Sequence, residues 1–372
     1  MGKKVLITGG AGFVGSHTAD ALVAQGHQVR VYDNLREQVH PPGMPAYLST
    51  QVEFIPGDMR DLCKLSDAVH DVDVIYHFAA AVGVGQSMYQ IADYTAVNTL
   101  GTANLLQAIL DTKSEPEKLI VASSMSIYGE GEYSCSECGE VAPSMRSARQ
   151  LLEKRWESLC PHCGREVLPV ATRESKPLGC SSIYALSKKE QEEMVLLFGR
   201  TYQIPAVALR YFNIYGTRQA LSNPYTGVVA IFASRLMNRK PPLVFEDGLQ
   251  LRDFVNVQDV VQANLLAMKS GDADGIALNI GFGQPISIRE IASELAQMLG
   301  VDVSHEITGK YRAGDIRHCF ADISAASGVL GYRPQVRFAD GLKELVSWLG
   351  SQSAEDRVDH AMQRLEVHGL VA

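Results

Sequence analysis

Nowhere in its 372 residues does the chain carry an apolar run near the ~18 residues that a bilayer-spanning helix requires. Its opening, MGKKVLITGG, runs into glycines after only a few apolar residues, too short for a secretory signal. Positive charge is also short: 34 Lys and Arg stand against 42 Asp and Glu, a net charge of −8, which offers no general attraction to nucleic acid or to an anionic membrane. The ten histidines show no metal-ligand spacing. The seven cysteines, with no secretory signal beside them, speak for thiols or metal ligands and against a disulfide framework. The expectation is a cytoplasmic protein with no nucleic-acid and no membrane partner. What is present is ordinary for a globular chain, 46% hydrophobic and 20% charged, with length for one large or two medium domains.

Short apolar runs alternate with helix-like segments through the first half. KVLITG (4–9), HQVRVYD (27–33), VEFIPGD (52–58), VDVIYHFAA (72–80), KLIVASS (118–124) and VALRYFNIYG (207–216) read as strands. GFVGSHTADALVAQG (12–26) and YTAVNTLGTANLLQAIL (94–110) read as helices between them. This alternation predicts an α/β fold, a doubly wound parallel sheet of the Rossmann kind. From about residue 217 the alternation breaks down. Helices over 224–240, 287–300 and 338–350, with short strands at 242–247 and 277–282, predict a smaller C-terminal substrate lobe, and the charged tail after Gly350 reads as peripheral. The expected division is a nucleotide-binding domain over 1–132, a cysteine insertion over 133–178, the first domain resumed over 179–216, the lobe over 217–350 and the tail over 351–372.

TGGAGFVG (8–15) follows the first strand and opens a helix. In that setting Gly9 permits a tight turn, Gly12 lets backbone approach a pyrophosphate, and Gly15 lets the helix pack on the strand. The helix N-terminus adds amides and a positive dipole for the phosphates. Asp33 ends the second strand, 18 residues after Gly15, where a carboxylate accepts from both ribose hydroxyls and repels a 2′-phosphate. That favours NAD, although Arg36 keeps NADP open. Asp58, at the end of the third strand, is placed either to meet an adenine amino group or to close a turn.

SIYALSK sets Tyr184 and Lys188 four apart, on one face if the segment is helical. An ammonium beside a phenol favours the phenolate and should lower the tyrosine pKa from ~10, making a general base. Such a pair is common by chance. Its weight comes from SSMSIYG (123–129), which follows a strand and offers hydroxyls to the same cleft. Ser87, on the loop after the fourth strand, is a candidate sugar contact or a helix cap. Cys180 is read as a loop thiol, and Cys63 and Cys319 as single cysteines.

The glycine loop, SSMSIYG, the Tyr184 and Lys188 pair, RYFNIYGTRQ (210–219) and RDFVNVQDV (252–260), in that order, make the chain resemble the extended short-chain dehydrogenase/reductase family. More narrowly, it resembles the NAD-dependent nucleotide-sugar epimerases and dehydratases, over residues 3 to 345 apart from the cysteine segment. The resemblance implies a Ser124–Tyr184–Lys188 triad and tightly bound NAD. It implies cofactor contacts from Gly9, Gly12, Phe13, Val14, Gly15, Asp33, Asn34, Asp58, Met59, Phe78, Ala79, Ala80, Asn98, Ser123, Tyr184, Lys188 and Tyr211. It implies a dTDP- or UDP-sugar held by Ser87, Ser124, Ser126, Asn213, Val229, Arg252, Arg312 and Asp315, the arginines suiting a diphosphate because guanidinium binds its oxygens in forks. It also implies a homodimer through helices 94–110 and 184–203.

Departures from the family narrow the reaction. The 4,6-dehydratases carry acidic residues at the two positions after the hydroxyl residue, and the uronate decarboxylases carry a glutamate at the second; those positions are Met125 and Ser126. What remains suffices for reversible oxidation at one carbon, 4-epimerisation. SNPYTGVVAIFASRL (222–236), FEDGLQLRDFVNVQDV (245–260) and the cysteine segment resemble the epimerases of dTDP-L-rhamnose, which give dTDP-6-deoxy-L-talose. UDP-hexose and UDP-glucuronate 4-epimerases, and a 4-ketosugar reductase needing added NAD(P)H, remain open. A non-enzymatic NAD sensor would have no use for the triad.

Between Tyr128 and Tyr184 lie 55 residues, more than the family needs. They hold Cys135 and Cys138, then 21 residues, then Cys160 and Cys163. A two-residue gap lets one tight turn present two sulfurs, and four thiolates fill a tetrahedral shell, so the prediction is a structural zinc with redox cysteines as the rival. RSARQLLEKRW (146–156), between the knuckles, reads as a basic helix that packs or faces solvent.

Overall fold

The computed structural model describes residues 2–40, 42–225, 227–302 and 304–372. Seven strands form the main sheet: β1 (Lys4–Thr8), β2 (Gln28–Asp33), β3 (Glu53–Pro56), β4 (Val74–His77), β5 (Lys118–Ser124), β6 (Ala206–Tyr211) and β7 (Ala277–Ile280). All pairings are parallel, in the order β3-β2-β1-β4-β5-β6-β7. The order reverses between β1 and β4, and a doubly wound sheet opens its ligand crevice at that point, beyond the strand C-termini.

The sheet is covered on both faces, which explains the nearly unbroken apolar runs. Alternate residues serve opposite sides. Val5, Ile7, Ile120, Val207 and Leu209 pack with Ala19 and Leu22 of helix Phe13–Ala24 and Ala263 of helix Val257–Lys269. Leu6, Ile75, Leu119 and Val121 pack with Leu65, Leu105 and Val195 from helices Leu62–Ala68, Gly101–Asp111 and Ile183–Tyr202. The predicted helix over 94–110 is not continuous: Thr95–Leu100 makes a wider π-type turn around buried Asn98 before α-helix resumes at Gly101.

Two C-terminal expectations change. The run 277–282 shrinks to β7 and pairs with β6 in the main sheet, not in the lobe. Nor is the tail peripheral: helix Val358–Val367 buries Val358, Ala361 and Leu365, and Tyr311 and Ala372 exchange backbone hydrogen bonds. The lobe proper is built on strands Asn213–Tyr215, Leu251–Asn256 and Pro285–Ser287, with helices Val228–Met237, Ile288–Leu299 and Phe338–Leu349 around Phe232, Phe254, Leu295 and Leu342. The insertion forms a small antiparallel sheet of Glu132–Cys135, Gly139–Val141 and Leu168–Val170.

Candidate functional site

At the reversal point the glycine loop turns tightly beneath the cleft. Gly9 has φ +70°, and a Cβ there would lie 2.7 Å from the Ala79 nitrogen; one on Gly15 would lie 2.3 Å from the Gly9 oxygen. The helix that follows has Gly12 at its N-cap and no side chain capping its amides, so they are free for an anion. Asp33 accepts from the backbone N–H of Ala11 (3.1 Å) and of Leu35 (2.9 Å), which fixes its carboxylate at the rim. Asp58 is held by Arg60 and by the Asn34 amide, and the Arg60 fork, the largest effect, pulls its pKa well below the usual carboxylate range.

These groups line a cleft of about 700 Å3. Of the residues expected at the cofactor, Phe13, Val14, Asn34, Met59, Phe78, Ala79, Ala80, Ser123 and Tyr211 line it, as does Val229, expected at the substrate. Asn98 acts from behind: its side chain bonds both the N–H (2.7 Å) and the carbonyl (3.0 Å) of Ala81, and so holds the loop that forms one wall. A tight backbone cradle, an uncapped helix start and a fixed carboxylate at the end of β2 fit a dinucleotide such as NAD.

Tyr184 and Lys188 lie in the first turns of helix Ile183–Tyr202, whose start is capped by Ser182 accepting from Ala185 N–H at 3.1 Å. Both side chains reach the cleft opposite Ser124, at the end of β5. Ser124 hydrogen-bonds the Tyr184 phenol and pairs with Ser126 Oγ at 2.7 Å. The expected effect of Lys188 on Tyr184 is not what this geometry gives. Burial dominates and raises the phenol pKa, with the Ser124 hydrogen bond opposing it. The Lys188 ammonium points elsewhere, donating to the Ala122 carbonyl at 2.6 Å and to Gln191 Oε1 at 2.9 Å, and burial pushes its own pKa down to about 7.

Ser87 does not line the cleft, contrary to the sugar-contact reading. It is fully buried, and its Oγ donates to the Val84 carbonyl and accepts the Tyr184 N–H at 3.0 Å. Tyr211 lines the cleft, and its hydroxyl is committed to protein, donating to Asn264 Oδ1 at 2.6 Å.

A second cavity of about 280 Å3 opens onto the first, and Met125, Ser126, Asn213, Tyr225 and Val228 line both. It contains the predicted Arg252, Arg312 and Asp315. Arg312 lies over the Phe245 ring at 4.6 Å and bonds Asp315 at 2.7 Å. The Arg252 guanidinium is largely committed to protein, donating to the carbonyls of Leu251, Ile316 and Arg317. Asn213, which lines both cavities, keeps its Oδ1 buried without a hydrogen-bond partner. The far wall is the tail: Val358, Ala361, Met362, Leu365 and Leu370 line this cavity. The sequence reading missed them, although the apolar spacing 358, 361, 365 in a charged segment is a helix signal.

The four insertion sulfurs lie within 4.8 Å of one another, and Cys135 and Cys163 are 3.5 Å apart. Sulfurs at about 2.3 Å from a tetrahedral ion stand just under ~4 Å apart, so the set fits a metal of zinc's preferences. Cys180 instead meets the Ile127 carbonyl, and Cys319 is buried.

Compared with known proteins, residues 5–146 and 163–281 match the NAD dependent epimerase/dehydratase family. The chain belongs to that family. It is an NAD-dependent enzyme of the epimerase/dehydratase kind, and the family match breaks at 147–162, inside the cysteine insertion. Among its relatives, a dTDP-L-rhamnose 4-epimerase from Burkholderia thailandensis is 32% identical over 94% of this chain and 96% of that one. A UDP-N-acetyl-alpha-D-glucosaminuronate decarboxylase from Bacillus cytotoxicus is also 32% identical, over 94% of this chain and 98% of its own. Two solved epimerase/dehydratase structures share the fold. UDP-glucose 4-epimerase from Thermotoga maritima, with UDP-glucose, superposes with a TM-score of 0.76 at 29% identity, covering 93% of this chain and 98% of that one. UDP-glucose 4-epimerase from Thermus thermophilus, in complex with NAD, gives 0.74 at 29%, covering 94% and 99%. No described helix is long and apolar enough to cross a membrane.

Proposed function

We propose that this enzyme is a nucleotide-sugar 4-epimerase, acting on dTDP-L-rhamnose to give dTDP-6-deoxy-L-talose. The observation that carries the reaction type is the pair of positions after Ser124. Met125 and Ser126 line the junction of the two cavities, where a dehydratase or a decarboxylase would need a carboxylate. No acid stands there to expel water or to assist loss of carbon dioxide. The choice of sugar is supported by the likeness to the Burkholderia enzyme, which spans nearly the whole of both chains.

In this reading the Gly9–Gly15 loop, Asp33 and the Ala81 loop held by Asn98 bind NAD, which supplies a hydride acceptor and donor at the sugar's C4. Tyr184 takes the C4 hydroxyl proton, and Ser124, hydrogen-bonded to it, polarises the same oxygen. Asn213, Arg312 and Asp315 keep the nucleotide anchored while the 4-keto sugar turns over, so that C4 would recover its hydride on the opposite face and its oxygen would recover the proton from Tyr184. Arg252 sets the carbonyls of 316 and 317 and so the floor of that anchor. The base must lose its proton before it acts, and burial holds the phenol pKa up; stabilising its phenolate is therefore the task left to Ser124, which opposes that effect.

Tyr184→Phe should lower kcat by roughly a thousandfold, the range for losing a positioned acid–base group. A variant within a few-fold of the parent would remove Tyr184 from the mechanism.

The Cys135, Cys138, Cys160 and Cys163 set is assigned a structural zinc, since four protein sulfurs leave no open position for catalysis. A homodimer is proposed through the helical segments 94–110 and 184–203. Leu100, Leu186 and Leu197 are exposed there, a two-helix apolar face that a second copy would cover.

A further inference from the structure

The insertion does not hang from the body by its two chain ends alone. A buried set of charges ties it to one segment of the lobe, residues 315–318. Arg146 lies between the two cysteine knuckles in sequence and is almost fully buried. It pairs with Glu246 at 2.8 Å and donates to the backbone carbonyls of Trp156 (3.0 Å) and Asp315 (3.1 Å). Glu157, three residues before Cys160, bonds the Arg317 guanidinium at 2.6 Å and His318 Nε2 at 3.0 Å. Burial opposes the charge on Glu157, but the His318 and Arg317 hydrogen bonds outweigh it and hold its pKa near about 2. Glu130, just ahead of the insertion sheet, accepts the Arg317 N–H at 2.8 Å and the Tyr133 hydroxyl at 2.8 Å. Arg317 itself has no exposed side-chain surface.

The segment so held is the one that presents the proposed nucleotide anchor. Asp315 takes the Arg312 guanidinium, and the carbonyls of Ile316 and Arg317 receive Arg252. All three side chains line the second cavity, whereas Arg146 and Glu157 do not. A guanidinium held by carbonyls is only as well placed as those carbonyls. Arg146 holds the Asp315 carbonyl and Glu157 the Arg317 and His318 side chains, so both grip the segment that carries those carbonyls without lining the cavity, and both come from the insertion.

We infer that the cysteine insertion is a positioning device for the nucleoside diphosphate of the substrate, acting through Arg146 and Glu157 on residues 315–318. This rests on the nucleotide-sugar reading of the second cavity. It gives the insertion a task at the substrate end of the enzyme. The metal knuckle then serves to keep two short strands and the Arg146–Glu157 stretch rigid enough to hold a buried charge set in register.

The test is calorimetric binding of UDP and of dTDP to the full-length enzyme and to Arg146→Met and Glu157→Gln, beside kcat, KM and the NAD retained on purification. Both variants should weaken nucleoside diphosphate binding and raise KM by roughly tenfold or more, as displaced positioning groups do, with kcat within about twofold and NAD content unchanged. Should Arg146→Met fail to fold, Glu157→Gln, which is isosteric and only partly buried, decides the matter. Variants that lose thermal stability yet bind both nucleotides as the parent does would overturn the inference and leave the charge set as glue alone. If the parent binds neither UDP nor dTDP, the nucleotide-sugar reading itself fails and this inference goes with it.

Discussion

Ser87 Oγ accepts the backbone N–H of Tyr184 at 3.0 Å, so the loop after β4 caps the helix that carries the proposed base. The hydroxyl is spent on two backbone groups, the Tyr184 amide and the Val84 carbonyl, and none of it faces the cleft. Ser87→Ala leaves a buried amide unpaired, at a cost of about 1–3 kcal/mol. The expected outcome is a lower melting temperature and a kcat reduced about tenfold with KM for the sugar nucleotide little changed. A rise in KM alone would restore Ser87 as a sugar contact.

Lys188 gives a pH signature. Its pKa is about 7 in the fold, against the ordinary lysine value of 10.5, because burial disfavours the charge. Between those two values the unfolded chain holds a proton that the folded one does not, so stability contributed at this site rises as pH rises through that window. Comparing denaturant midpoints of the parent and Lys188→Met at about pH 7 and about pH 9.5, the parent should gain on the variant at the higher pH. Parallel curves would mean that Lys188 stays charged when buried.

The glycine loop makes a steric prediction. A Cβ on Gly15 would sit 2.3 Å from the Gly9 oxygen and 2.7 Å from the Gly10 Cα, backbone atoms that can move only by opening the turn. Gly15→Ala should therefore purify without NAD, read from the absorbance of the supernatant after denaturation, and without activity. Full cofactor content would show that the cradle is looser than its contacts.

The cysteine cluster predicts one metal ion per chain by elemental analysis, zinc in a preparation not supplemented with others. Cys135→Ser with Cys160→Ser should abolish it and lower the melting temperature, because a small insertion core of Tyr133, Val141 and Val167 has little else to hold it. Metal-free parent protein of unchanged stability would point to the redox alternative.

Local patterns carried much of this into the sequence. The spacing of Gly9, Gly12 and Gly15 reveals a turn, and at Gly9 and Gly15 a Cβ would meet backbone atoms under 3.0 Å away. Tyr184 and Lys188 are legible from helical spacing, and the cysteine pairs from metal geometry. Each is decided within a few residues. What escaped depends on distant partners. β7 is a short apolar run whose place beside β6 is fixed by contacts some 70 residues away. Arg146, Glu157 and Arg317 look like surface charges until the fold buries them together. Asp58 and Arg252 look free until Arg60 and three carbonyls claim them. The lysine effect on Tyr184 failed for the same reason: four-residue spacing places two side chains on one face but does not say where the ammonium points.

The most direct test is product analysis after the purified enzyme, with no cofactor added, is incubated with dTDP-L-rhamnose, and in parallel with UDP-glucose, UDP-glucuronate and UDP-N-acetylglucosamine. The account predicts a new product of unchanged mass, inverted at C4, from dTDP-L-rhamnose; the same result from one of the UDP-sugars instead would keep the epimerase and change its sugar. No conversion of any of them, with turnover only of a 4-keto sugar when NAD(P)H is supplied, would contradict it and make the enzyme a reductase.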